Sequence, residues 1–167
     1  MRRLVRRPPP AGATARARGI AAVELALLLV PLLLIVLGVA EFGRAIHTFN
    51  TLGKGARDAA RHLSQHGPGD AAVQAEARCL AVHGRADCSG TPLAPGLSTA
   101  QVQVCDALAC PATHASQATG EGVVNLATVT ITGYVFDSVL DIALPGVGTA
   151  LGDRRFPPIS ATMRAPL

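Results

Sequence analysis

Tryptophan is missing from this 167-residue chain, and one Tyr and four Phe are its only other aromatic residues. Aromatic side chains supply much of the buried area of a large core, so their scarcity at this length leaves room for one modest domain at most. Acidic residues are missing from the first 23 positions, which hold Arg2, Arg3, Arg6, Arg7, Arg16 and Arg18. Beyond them the 11 acidic residues outnumber the remaining basic ones, so the formal charge of +4 belongs to a leader. That distribution argues against a nucleic-acid-binding domain, which needs its cations gathered on a folded face.

Catalytic signatures are also lacking. No Ser, His and acid arrangement stands out as a triad, and Gly146-x-Gly148 ahead of Gly152 has the wrong spacing for a dinucleotide loop. His62 and His66 stand four apart, as helical metal ligands do, but no third ligand is visible beside them, and solvent-facing histidines are the simpler reading. The chain is therefore read as a non-enzyme without cofactor or metal.

What is present begins abruptly. Ile20 to Ala40 is apolar except for Glu24, and at about 1.5 Å per residue it is long enough to cross the roughly 30 Å hydrocarbon layer. The run is too long for a cleaved secretory signal, whose apolar region is about 7 to 15 residues. Pro31, in its middle, predicts a helix kink, because proline lacks an N–H and crowds the preceding turn. The leader arginines outnumber Arg44, Lys54, Arg57 and Arg61 beyond the span, which predicts a cytoplasmic N-terminus and an exported C-terminal part. Glu24 calls for a function or a partner, since a carboxylate within an apolar span is costly.

Downstream, Phe42, Ile46, Phe49, Leu52, Ala56, Ala59, Ala60 and Leu63 recur at spacings of three and four, which predicts an amphipathic helix over 41–66. Gly53 and Gly55 weaken it, and Gly67-Pro68-Gly69 ends it. Asp70 is placed to cap a second helix reaching about His83. Residues 84–121 read as loop apart from a short strand at 101–105. Residues 123–136, where Thr128, Thr130 and Thr132 alternate with apolar neighbours, predict a strand with Gly133 as its bulge position, and Ile159 to Arg164 a closing one. The expected fold class is α+β. Its segments are a leader at 1–19, a membrane helix at 20–40, an amphipathic helix at 41–66, a cysteine-bearing region at 67–122 and a C-terminal segment at 123–167 with an antiparallel sheet.

Cys79, Cys88, Cys105 and Cys110 all fall in the part that would be exported, and an even count there favours disulfides over free thiols. Neither pair has the two-residue spacing usual for zinc knuckles, and no His stands at ligand spacing beside them. Four cysteines allow three connectivities; Cys79 with Cys88 and Cys105 with Cys110 is expected because short loops close readily.

One motif goes further. In Arg18-Gly19-Ile20-Ala21-Ala22-Val23-Glu24 a basic leader ends in Gly, an apolar helix starts at once, and one carboxylate stands fifth after the Gly. This resembles the type IV prepilin processing signal, which implies cleavage by a membrane aspartyl peptidase between Gly19 and Ile20 and a Glu24 that compensates the new amine of a neighbouring subunit. Leu25 to Pro31, Gly38-Val39-Ala40-Glu41-Phe42-Gly43-Arg44 and Ala56-Arg57-Asp58-Ala59-Ala60-Arg61 narrow the resemblance to TadE-like proteins, pseudopilins of tight-adherence (Flp/Tad) pilus systems. Ala127 to Thr132, Tyr134-Val135-Phe136 and Ser160 to Arg164 resemble that family's closing strands. The resemblance implies an inner-membrane pseudopilin or minor pilin with a periplasmic C-terminal domain. Its partners would be the prepilin peptidase, other Tad pilins and the pilus-assembly platform, with no nucleic acid. The competing reading is an uncleaved anchor presenting a disulfide-containing periplasmic binding domain to an envelope complex.

Overall fold

The computed structural model describes residues 12–139 and 154–167, with side chains from residue 20 onward. The start of the leader and the glycine-bearing loop around 145–152 lie outside the described residues. The chain divides into two compact units, residues 1–40 and 41–167. The architecture is α+β: a long N-terminal helix with an apolar candidate span, few further helices, and a small C-terminal domain with an antiparallel sheet.

Helix α1 spans Gly12–Ser64. It starts inside the leader. The reason is local, because Ala13, Ala15 and Ala17 alternate with Arg16 and Arg18, all of high helix propensity. At its other end, bonds from the Gln65 and His66 amides to the His62 and Leu63 carbonyls tighten the last turn, and Gly69, at φ +83°, reverses the chain. Asp70 then caps α2 (Ala71–His83), its carboxylate accepting from the Ala72 and Val73 amides at 2.8 and 3.4 Å. Gly84, at φ +69°, ends α2 with its N–H on the Leu80 carbonyl.

The middle of the chain is more ordered than its composition predicts. A 3-10 turn at Thr99–Gln101 leads into β1 (Val102–Cys105), and after it come a one-turn helix α3 (Pro111–His114) and a short strand β2 (Gln117–Thr119). β2 forms a tight hairpin with the start of β3 (Gly122–Ile131), Thr119 opposite Gly122. β3 also pairs antiparallel with β1, Val102 opposite Ile131, and with β4 (Ile159–Ala165), Ile131 opposite Ile159 and Asn125 opposite Ala165. β3 stops at Ile131, short of the expected 136. The Thr132 amide turns to the Gln101 carbonyl, and Gly133, at φ +70°, follows the strand instead of bulging within it.

The core of residues 41–167 lies between the helices and the inward face of this sheet. Leu52, Ala56, Ala59 and Ala60 of α1 meet Ala77, Ala81 and Val82 of α2 with Ala127, Val129 and Ile131 of β3 and Ile159 and Ala161 of β4. Alanines let the elements approach closely, and Gly55 shows how closely: a Cβ built there lies 2.8 Å from the Ala81 carbonyl oxygen. Four of the chain's five aromatic residues gather in one cluster, where Phe49, Tyr134 and Phe136 each lie 5.5–5.8 Å from the Phe156 ring. The fifth, Phe42, stands apart and is 67% exposed.

Candidate functional site at the start of α1

Every residue from Ile20 to Ala40 is exposed, so this stretch of α1 buries none of its leucines within the chain. It is the helix, among the described residues, long and apolar enough to cross a membrane, and it fits a membrane anchor by length and composition. Gly19 and Ile20 lie within α1, and the helix continues through Pro31. Glu24 is exposed and has no hydrogen bond or ion pair among the described residues. A carboxylate in an apolar surface is costly without a partner, and no described residue supplies one.

The next carboxylate, Glu41, is in the opposite situation. It accepts from the Arg44 guanidinium at 2.8 Å, from the Val139 amide at 3.0 Å and from Ser138. Burial pushes its acidity toward the neutral form, but these donors outweigh it and hold Glu41 below the usual carboxylate range. Arg44 also lies over the Phe136 ring, 5.5 Å from its centre. In the sequence Glu41 heads the amphipathic helix and belongs to the family-like Gly38 to Arg44 stretch, with no partner marked for it. The segment it clamps is 98 residues away in the chain, and no local pattern marks such a pair.

The four cysteines form two disulfides, Cys79–Cys88 and Cys105–Cys110, and none is free. The first closes the loop after α2, the second the turn between β1 and α3. His114, which spacing did not single out, is brought beside Cys105 and Cys110, the three ligand atoms lying within 4.8 Å of one another. Both sulfurs are committed to the disulfide, and the His114 ring already bonds Thr113 and Thr128 at 2.7 and 2.8 Å. His62 also finds an acid that the sequence did not offer nearby. Glu76 of α2 lies 2.9 Å from its Nε2, while the His66 ring bonds the His62 carbonyl. This pair ties α1 to α2 through a half-buried bond.

Asp106 is the most heavily bonded acid among the described residues. Its carboxylate, 6% exposed, takes the Gly69, Leu108 and Ala109 amides and the Gln74 side-chain amide at 2.7–3.0 Å. Burial acts to raise its pKa, and the four donors together prevail and lower it. Every acceptor position faces the protein's own donors, so Asp106 joins the turn before α2 to the turn after β1.

Known proteins sharpen the assignment of α1. The model of the family described as TadE-like protein matches residues 19–61. The match starts on Gly19, takes in Glu24, Pro31 and the Glu41 to Arg44 stretch, and ends on Arg61. The disulfide-bearing middle and the sheet, including the closing strands read as family-like, lie outside the matched residues. No curated protein matches the chain. No solved structure matches it either. From the glycine at the head of its apolar stretch to the helix that enters the domain core, the chain carries a TadE-like segment.

Proposed function

We propose that the protein is a minor pilin or pilus-assembly pseudopilin of a Tad-type pilus, held in the bacterial inner membrane by residues 20–40, with its N-terminus cytoplasmic and residues 41–167 in the periplasm. The observation that carries this reading is the family match beginning on Gly19 and containing Glu24, a carboxylate with no bonded partner among the described residues. On this reading the peptidase cuts between Gly19 and Ile20, freeing the Ile20 amine, and the leader leaves the mature protein. In an apolar surrounding an unpaired carboxylate attracts a cation strongly, and the amine of a neighbouring subunit satisfies it while fixing the register between helices. The exposed leucines of 20–40 then serve as lipid-facing and helix-packing surface in turn. Two disulfides in the domain suit an oxidising compartment. The role is structural rather than enzymatic, with other Tad pilins and the assembly platform as partners.

Mass spectrometry of the membrane-extracted protein tests the first step. An N-terminus at Ile20 is expected in a host with an active prepilin peptidase, and an intact leader there sinks the cleavage claim. Glu24→Gln tests the second, with normal insertion and processing expected but pilus assembly lost.

One observation favours a second reading. Residues 62–167 include a two-disulfide fold that the family match does not reach, as a binding domain on a permanent anchor would. An uncleaved protein whose Glu24→Gln variant has no phenotype selects that alternative.

A further inference from the structure

We propose that the domain has a second contact with the membrane: Phe42 and Val139 rest in the headgroup layer of the bilayer that residues 20–40 cross. The inference depends on the membrane-spanning reading of that helix. Chain connectivity supplies the geometry. Glu41 directly follows the last residue of the apolar stretch, so a group held by its carboxylate lies where the chain leaves the hydrocarbon. The Val139 amide is held there at 3.0 Å, and Val139 is 52% exposed. Phe42 lies two residues past Ala40, about 3 Å along the helix. The headgroup layer is roughly 5–7 Å thick on each side, enough to take in both.

Composition makes this placement selective. Of the chain's five aromatic residues three pack around Phe156, Phe49 among them still 40% exposed, while Phe42 stands outside the cluster and is 67% exposed at this level. Apolar rings and aliphatic side chains of this kind gain by leaving water for the acyl boundary. Arg44 adds a suitable charge. One guanidinium nitrogen binds Glu41, and the half-exposed side chain, about 6 Å along the helix from Ala40, is within reach of a lipid phosphate. The Glu41 clamp thus holds Val139 at the bilayer surface as a second contact beside α1.

Photo-crosslinking of the full chain in phosphatidylcholine–phosphatidylglycerol vesicles tests this. Benzoylphenylalanine replaces Val30, Phe42, Val139 or Leu108 in turn, with intact disulfides as the check on folding. Leu108 is the control: it is 67% exposed and packs beside Gly69, past the far end of α1. Lipid adducts are expected from positions 30, 42 and 139 and none from 108. An adduct at 30 with none at 139 overturns the proposal while leaving the span intact. No lipid adduct at 30 overturns the spanning reading itself, and the proposal falls with it. Crosslinks from 139 to a second copy or another protein, in place of lipid, identify the occupant as protein and overturn it as well.

Discussion

Residues 20–40 and residues 41–64 belong to one helix, yet the first stretch leaves every side chain exposed while the second buries Leu52, Ala56, Ala59 and Ala60 completely. The first is leucine-rich on all faces, whereas the second carries its apolar residues at helical spacing on one face. Large residues with no partner inside the chain must find one outside it, in lipid or in another subunit. Alanines that contact α2 and the sheet are instead selected by this chain's own geometry. The two carboxylates at the ends of the exposed stretch repeat the contrast. Glu24 has no bonded partner among the described residues, whereas Glu41 is bonded three ways within the domain.

The largest effect that would break this comparison is a leucine truncation made in each stretch. Leu52→Ala removes a fully buried side chain and is expected to cost about 3 kcal/mol of domain stability, transfer and cavity together. Leu33→Ala, in the exposed stretch, is expected to leave domain unfolding unchanged. Urea denaturation of the detergent-solubilised, disulfide-intact chain checks both, followed by fluorescence of Tyr134, the only tyrosine, which is buried in a chain without tryptophan. Equal sensitivity at the two positions would mean that residues 20–40 pack into the domain after all.

A smaller effect is expected at Asp106, which ties two turns that have no sequence signature in common. Asp106→Asn keeps the size but removes the charge that four donors converge on, and the loss is expected to be about 2 kcal/mol at neutral pH. The pH dependence has a definite sign. The folded state holds Asp106 below its ordinary value of 3.8, so its contribution is complete above that value and disappears as pH falls through the lower, folded-state one. The stability gap between wild type and Asp106→Asn should therefore narrow only on acidification below about pH 4. A gap that stays constant into that range would show that the charge is not what stabilises the turns.

The sequence made some of these features legible because their causes are local. A 3.6-residue period, an Asp before a helix and alternating threonines each act within a few residues, and α1 beyond the span, α2 and β3 follow from them. β2 and α3 were missed because three- and four-residue elements leave no period to read. They exist through pairing with β3 and through the Cys105–Cys110 closure. At the candidate site, Gly19, Glu24 and Pro31 were visible because a lone acid or proline is conspicuous in an apolar run. Glu41, His114 and the His62–Glu76 bond were not, since their partners come from distant segments.

The smallest expected effects separate two glycines that look alike in sequence. Gly53 and Gly55 both reduce helix propensity, and on that ground alone either replacement by Ala should stabilise α1 by about 1 kcal/mol. Packing reverses the sign at one of them. A Cβ at Gly53 meets only Arg57 and Ile159 side-chain atoms at 4.0 Å, so Gly53→Ala is expected to gain most of that propensity term. At Gly55 the added carbon lies 2.8 Å from the Ala81 carbonyl oxygen and 3.1 Å from Leu93, and backbone on α2 has to move to admit it. Gly55→Ala is therefore expected to lose about 1–2 kcal/mol net. The same urea titration reads both. Stabilisation by Gly55→Ala would show that α1 and α2 are less tightly apposed than the alanine-lined contact requires, and that the buried half of the helix resembles its exposed half more than its packing implies.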